Sequence, residues 1–428
     1  MMEKFVIDGR RRLSGEVTPS GNKNEALPCL AATLLTDEAV ILRNVPRIRD
    51  AEVMCEVLAN QGSSVKWHDR NTVEICNRNL RVGPLDAELC RRIRASILFA
   101  GPMVAKYGTA DLPPPGGDVI GRRRVDTHFQ VLSALGASVS VETGYQLKSG
   151  RLVGSDIFMD EASVTATENA IMAASLAKGT TVLRNAACEP HVCNLARMIN
   201  SMGGNISGIG TNTLTIEGVE TLGGCEHTIE SDYLEIGSFI GLAAVTKSPL
   251  TINRVNPESL RMIRLVFDRL GVRTEIQGDK LFVPEDQTLS IKPDYHGHVP
   301  KIDDAPWPAF PTDLMSIVIT VATQCHGTVL FFEKMFEGRM FFVDHLQNMG
   351  AQIILCDPHR VVVVGPQTLR GGKLQSPDVR AGMAMLIAGL CSVGKTEIFN
   401  IGQIDRGYER IEEKLQSIGA AIKRVPVE

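Results

Sequence analysis

Arginines and carboxylates recur in this 428-residue chain at positions that break its local patterns. One loop reads Pro113-Pro-Pro-Gly-Gly-Asp118-Val-Ile-Gly-Arg122-Arg123-Arg124-Val125-Asp126-Thr-His128. Prolines stiffen one end, glycines free the centre and three arginines follow, a composition suited to a lid that carries an acid and an anion clamp. The competing reading is a solvated basic loop. Ser20-Gly-Asn-Lys23-Asn24 sits where an opening strand meets the first helix, so Lys23 can meet an anion beside helix-terminal N–H groups. Its rival is a surface cap. Asp378-Val-Arg380 and Asp405-Arg406-Gly-Tyr-Glu-Arg410 put arginines where helices are expected to begin. Helix starts favour acidic residues, so cations there point to a bound anion; a structural Asp–Arg pair is the equal alternative. Pro308-Ala-Phe-Pro311-Thr-Asp313 places a carboxylate at the opening of a helix, either as a reactive group or as an N-cap.

A further motif fails on its context. Gly389-Leu-Cys-Ser-Val-Gly394-Lys395-Thr396 matches the GxxxxGK[ST] phosphate loop, which must follow a strand and open a helix. Here a helix precedes and a strand follows, so nucleotide hydrolysis is set aside. Gly208 and Gly210 are a fragment of a dinucleotide fingerprint inside a hairpin, and they carry nothing.

The elements that must position these groups repeat. Six times an apolar helix-like run leads to a short strand, a second helix-like run and a turn closed by glycine, at Gly62, Gly136, Gly203, Gly271, Gly350 and Gly419. The spacings are 74, 67, 68, 79 and 69 residues. Repetition on that scale predicts the architecture directly. One copy reads as helix 168–178, strand 180–185, helix 192–202 and a hairpin over 206–217; the last reads as helix 382–391, strand 396–400 and helix 408–418. Units of this kind predict α+β building blocks with sheets toward solvent and helices packed centrally. Six units pair most simply as two lobes of three: residues 21–230, carrying the 113–124 loop, and residues 1–20 with 231–428.

Composition excludes several classes. A net charge of −4 gives no basic surface for nucleic acid, and no apolar run is long enough to span a bilayer. Ten scattered cysteines without a CxxC pair point to reduced core thiols, Cys29, Cys55, Cys325, Cys356 and Cys391 among them, and away from disulfides or zinc. A cytoplasmic protein is expected.

Ser20-Gly-Asn-Lys-Asn24, Arg94-Ala-Ser-Ile97, Gly116-Gly-Asp-Val-Ile-Gly121, Ala309-Phe-Pro-Thr-Asp313, Asp378-Val-Arg380 and Ile404-Asp-Arg-Gly-Tyr-Glu-Arg-Ile411 occur in one order. Together they resemble the enolpyruvyl transferases that act on UDP-N-acetylglucosamine, over essentially the whole chain. The lysine-serine signature of the shikimate-pathway branch is absent. The resemblance implies an inside-out α/β barrel of two lobes with three units each, the EPSP synthase-like fold. It implies transfer of the enolpyruvyl group of phosphoenolpyruvate to the 3-hydroxyl of the sugar nucleotide, by addition then elimination, with small-molecule substrates and neither metal nor cofactor. That is the first committed step of peptidoglycan synthesis. By the same likeness Lys23, Arg123 and Arg406 hold the donor phosphate, Arg339 and Arg380 its carboxylate, and Arg94 lies nearby; Lys23 also serves catalysis. Asp313 takes the acceptor hydroxyl proton. Asn24, Arg123, Arg124, Val125, Asp126, His128, Ser163, Val164, Thr165, Glu189 and Met335 line the acceptor side.

The chain departs from the pattern in two places. Asp118 stands where most members have cysteine, the residue that protonates the donor's methylene carbon; this implies insensitivity to fosfomycin, which alkylates the thiol. On the nucleotide side, Arg124 replaces a usual proline, Glu161 a usual lysine, Thr165 a common glycine and Tyr233 a usual arginine. Glu161 would repel a diphosphate unless Arg124 compensates. An enolpyruvyl transferase for a smaller nucleotide such as UMP is therefore the alternative.

Overall fold

The computed structural model describes residues 3–117 and 120–427. All six turn-closing glycines have left-handed backbone, with φ between +78° and +104°. Only glycine adopts that region without steric cost, which is why each helix-to-strand turn carries one.

The described residues form six sheets, five of four strands and one of three. A representative sheet pairs Asp156–Phe158 in parallel with Thr180–Arg184, then antiparallel to Thr213–Glu217, with Asn205–Ser207 at the edge. A parallel pair needs a crossover, and the helix Val164–Ala174 supplies it. Burial alternates along Thr180–Arg184, so one sheet face covers helices and the other is open. The helices Tyr233–Val245, Met315–Ala322 and Val379–Cys391 are buried at every residue and pack against one another. Such all-round apolar helices must lie inside, whereas Arg261–Arg269 buries one face only.

The described chain divides into two compact units, one of residues 21–117 and 123–230, the other of 3–20, 120–122 and 231–427. The opening strands belong to the second. Glu3–Asp8 lies between Lys395–Phe399 and Ala421–Pro426, and Gly15–Val17 runs parallel to Leu250–Ile252. No helix among the described residues is long and apolar enough to cross a membrane.

Local details differ from expectation. The helices expected from 168 and 382 begin earlier, at Val164 and Val379. The one expected from Tyr408 begins at Ile411, after Arg410 adopts φ +46°. Tyr408 is instead drawn into the core, 1% exposed, with its hydroxyl 3.0 Å from that of Ser238. Burial of the large ring outweighs the helical tendency of the segment. Cys29, Cys55, Cys325 and Cys391 are buried, but Cys356 is exposed, at an irregularity of the edge strand Gln352–Asp357 that turns residues 354–356 outward. Gly389 lies in the last turn of the helix Val379–Cys391 and Lys395 opens a strand, so the phosphate-loop likeness is a helix-to-strand turn.

Candidate active site

The unit containing residues 231–427 builds a compact charged cluster. Asp313 lies in the 3-10 turn Thr312–Leu314 that feeds the helix Met315–Ala322. Arg339 opens the turn Arg339–Phe342, and Arg380 lies in the first turn of Val379–Cys391. Arg339 Nη2 donates to Asp313 Oδ1 at 3.0 Å and Arg380 Nε to Oδ2 at 3.1 Å. Asp313 is therefore no helix cap: its two oxygens face two guanidinium groups. Asp378 is the cap, accepting from Arg380 N and Ala381 N at 2.8 and 3.0 Å.

The arginine side chains are only 5% exposed, against 26% for Asp313. Burial works against the charged form of Arg339, but Asp313, Asp378 and Glu333 outweigh it and hold the proton more tightly than usual. Arg380 behaves likewise: burial opposes its charge, while Tyr408, Asp313 and Asp232 more than offset the loss. Its guanidinium lies 5.3 Å over the Tyr408 ring. Burial, only partly countered by Arg380, pushes Asp232 up to about 6. Arg339 Nε and Arg380 Nη1 are buried without a hydrogen-bond partner among the described residues. Buried donors are nearly always satisfied, so these two guanidinium N–H groups, of which Arg339 Nε has only the Glu333 carboxylate at 3.8 Å, are open to a further anion. Arg406 is 8% exposed and donates to Gln403 Oε1 at 3.0 Å. It closes the 3-10 segment Ile401–Arg406 instead of opening a helix, because Gly407 and Tyr408 turn inward before the next helix starts. Met335 follows buried Glu333, whose carboxylate accepts the Met335 N–H at 3.1 Å.

The other unit holds the remaining candidates. Lys23 is the first residue of the helix Lys23–Ala32, capped by Asn22, with half-buried Asn24 beside it. Its ammonium meets Asp50 Oδ2 at 2.7 Å, with the two side chains only 12% and 4% exposed, so it is not a surface cap. Arg94 Nη2 donates to the carbonyls of Arg123 and Arg124 at 2.8 and 3.2 Å, clasping the arginine segment. Glycine is obligatory just before it. A Cβ on Gly117, at φ +111°, would meet Arg94 Cβ at 2.8 Å, and one on Gly116 would overlap the Arg91 carbonyl. These two glycines thus serve close packing, a role the sequence did not reveal. At the far side of the loop, Arg122 N donates to Glu337 Oε1 at 3.2 Å. Asp118 lies outside the described residues.

Arg124 is ringed by three carboxylates: Asp160 at 3.0 Å, Asp126 at 3.3 Å and Glu161 at 3.9 Å. Arg124 thus reaches Glu161 but is shared with the nearer Asp160 and Asp126, and the cluster keeps a net negative charge. His128 is 1% exposed, and burial, reinforced by Arg94, drops its pKa to about 3, so the ring is neutral. Asn169 Nδ2 lies 2.8 Å from Nδ1 and Thr165 Oγ1 3.1 Å from Nε2, which makes Nδ1 the acceptor and Nε2 the protonated nitrogen. Thr165 is thus a partner of His128. Val125 and Asp126 open the helix Asp126–Ala134; Ser163 and Val164 open Val164–Ala174, and Glu189 precedes Pro190–Ser201. Glu168 is driven well above the usual carboxylate range by burial and by Glu189. Metal-type donors meet at Glu25, Cys29 and His227, where His227 Nε2 and Asn194 Nδ2 already contact the Glu25 carboxylate at 3.0 and 2.9 Å. Sequence reasoning missed Asp50, Asp304 and Glu333. Nothing in local periodicity marks a lone acid at a strand end or helix start as the partner of a distant cation.

Comparison with known proteins agrees with this picture. The profile of the EPSP synthase (3-phosphoshikimate 1-carboxyvinyltransferase) family matches residues 7–415. UDP-N-acetylglucosamine 1-carboxyvinyltransferase of Bradyrhizobium diazoefficiens is 56% identical over 423 residues, covering 99% of this chain and 98% of its own. The protein of the same name from Treponema denticola is 54% identical over 422 residues, 99% of each chain. Among solved structures, the enolpyruvyl transferase NikO from Streptomyces tendae superposes with a TM-score of 0.88 at 23% identity over 100% of both chains. EPSP synthase from Acinetobacter baumannii gives 0.76 at 17%, over 99% of this chain and 100% of its own. At those identities the two structures speak for the fold alone.

Proposed function

The chain belongs to the EPSP synthase family of enolpyruvyl (carboxyvinyl) transferases, and from that premise we propose that it transfers the enolpyruvyl group of phosphoenolpyruvate to the 3-hydroxyl of UDP-N-acetylglucosamine, releasing phosphate. The observation that carries this reading is full-length identity of 54–56% with relatives of that name.

The charged clusters supply a rationale for each step. Arg339 and Arg380 offer uncommitted donors to the donor carboxylate, for which paired guanidinium groups are the fitting partner. Lys23 and Arg123 are assigned to the phosphate, with Arg94 holding the Arg123 backbone in place; the family pattern gives Arg406 the same role. A substrate carboxylate entering beside Arg339 and Arg380 competes with Asp313 for their N–H groups and frees an oxygen of Asp313 to act as base. Asp313 then accepts the acceptor's hydroxyl proton as the hydroxyl oxygen bonds to C2 of phosphoenolpyruvate, and Asp118 delivers a proton to C3. The resulting tetrahedral adduct returns a methyl proton to the now ionised Asp118 and expels phosphate, which leaves with the proton held on Asp313, restoring the double bond as a carboxyvinyl ether. The acceptor nucleotide is assigned to Asn24, Arg124, Val125, Asp126, His128, Ser163, Val164, Thr165 and Glu189 of one unit; the family pattern gives Met335 an acceptor-binding role as well.

The smaller-acceptor alternative rests on Glu161 standing where a lysine is usual, and the full-length relatives named for the sugar nucleotide favour the larger acceptor. The decisive experiment mixes the protein with phosphoenolpyruvate and either UDP-N-acetylglucosamine or UMP and follows phosphate. Release with the sugar nucleotide is expected. Release with UMP alone, or none, overturns the proposal.

A further inference from the structure

We propose that Glu333 and Asp304 form a proton-sharing carboxyl pair that positions the Asp313 turn and the 335–339 segment for catalysis, a role that rests on the transfer reaction proposed above.

Glu333 is 0% exposed, one residue past the strand Gly327–Phe332. Its Oε1 accepts the N–H groups of Met335 and Phe336, each at 3.1 Å. The Thr312 hydroxyl lies 3.0 and 2.9 Å from its two oxygens, and Oε2 is 3.8 Å from Arg339 Nε. One buried carboxyl therefore touches the residue preceding the proposed base, the backbone of an acceptor-side residue and a guanidinium that holds Asp313. Asp304, also 0% exposed, follows the strand Lys301–Asp303 and accepts Lys334 N at 2.6 Å through Oδ1. Its Oδ2 is buried without a hydrogen-bond partner among the described residues, and its carboxyl lies close enough to that of Glu333 to raise the Glu333 pKa, so a proton on Glu333 would satisfy Oδ2. Two carboxylates cannot hydrogen-bond to each other unless one carries a proton, and out of water they do not both ionise at neutral pH.

The charged groups around the pair leave it that single proton. Among the described residues Arg339 is the one cation close to Glu333, and it is shared with Asp313 and Asp378. The Lys334 ammonium pairs with Asp303, and His359 Nδ1 contacts the Glu333 carbonyl at 2.7 Å, not its carboxyl. Burial first, and the Asp304 contact second, push Glu333 up to about 8, with Arg339 and Thr312 pulling the other way. Below that pH the pair carries one negative charge. Above it, two adjacent negative charges repel and loosen the turns they hold, so turnover falls on the alkaline side.

Glu333→Gln mimics the protonated form permanently, because its amide oxygen still accepts from Met335 and Phe336 while its NH2 donates to Asp304. The expected result is activity within about fivefold of wild type near pH 7, with a flattened fall in kcat toward about pH 9. Asp304→Asn should flatten it similarly. Glu333→Ala should lower kcat by roughly tens- to a hundredfold, the cost of a misplaced group, with a smaller change in KM. An alkaline limb in Glu333→Gln identical to wild type, or wild-type kcat in Glu333→Ala, overturns the inference. Infrared difference spectra test the shared proton without turnover. A protonated-carboxyl band that wild type loses between about pH 7 and 9, and whose loss is missing from Glu333→Gln, is expected over the constant signal of buried Glu168; the same pH-dependent loss in Glu333→Gln refutes the pair even where Glu333→Ala fails to fold. Absence of phosphate release by the wild-type protein defeats the proposed function instead, leaving the spectrum to judge the pair.

Discussion

Replacing Asp313 by asparagine tests both the stability and the chemistry of the charged cluster. The substitution keeps shape and one acceptor oxygen but leaves Arg339 and Arg380, each 5% exposed, without the carboxylate that joins them. Removing one partner of a fully buried pair costs about 3–5 kcal/mol. Asp313 is 26% exposed, and Asp378, Glu333 and Asp232 remain as neighbouring acids, so we expect about 1.5–3 kcal/mol here. For a folding unit of roughly two hundred residues this lowers Tm by about 3–12 °C. Loss of the base lowers turnover by about 10²–10⁴-fold, measured as phosphate release. Phosphoenolpyruvate should raise Tm more in Asp313→Asn than in wild type, because its carboxylate replaces the missing charge and binds the native state. Unchanged turnover would remove Asp313 from the mechanism. An unchanged Tm together with a donor effect no larger than in wild type would refute the electrostatic reasoning.

Asp118→Ala should lose about 10²–10⁴-fold in turnover if the residue protonates C3, and undiminished turnover excludes that role. Wild type should resist fosfomycin, whereas Asp118→Cys should be inactivated with time and carry a covalent adduct by mass spectrometry. Gly117→Ala forces a Cβ at φ +111° to within 2.8 Å of Arg94 Cβ; we expect a loss of about 1–3 kcal/mol in denaturant unfolding and a reduced kcat as the arginine segment shifts. Arg124→Ala leaves Asp126, Asp160 and Glu161 uncompensated but is largely exposed. It should leave Tm nearly unchanged and raise KM for the sugar nucleotide about three- to tenfold, an effect that salt diminishes. His128, neutral down to about pH 3, should leave acceptor binding unchanged between about pH 5 and 8, as calorimetry can check.

What the chain determined by itself was local and repetitive. A glycine at each turn, closing a helix onto a strand, follows from backbone sterics confined to a few residues, and the six copies were legible from their spacing. Gly394-Lys395-Thr396 was excluded as a phosphate loop because element order is also a near-neighbour property. Spacing of Lys23, Asp313, Arg380 and Arg406 within their motifs allowed them to be singled out, but not what each would touch. Tertiary structure decided those contacts. Only packing drew Tyr408 inward and shortened its helix, exposed Cys356, and required Gly116 and Gly117 to pass against residues 91–94. Asp313 meets arginines 26 and 67 residues away, and Glu333 meets Asp304 across neighbouring strands. Such pairings depend on register and burial set by the whole core, where a charge without its partner is costly. Local periodicity records that a residue faces inward, not which opposite charge awaits it there.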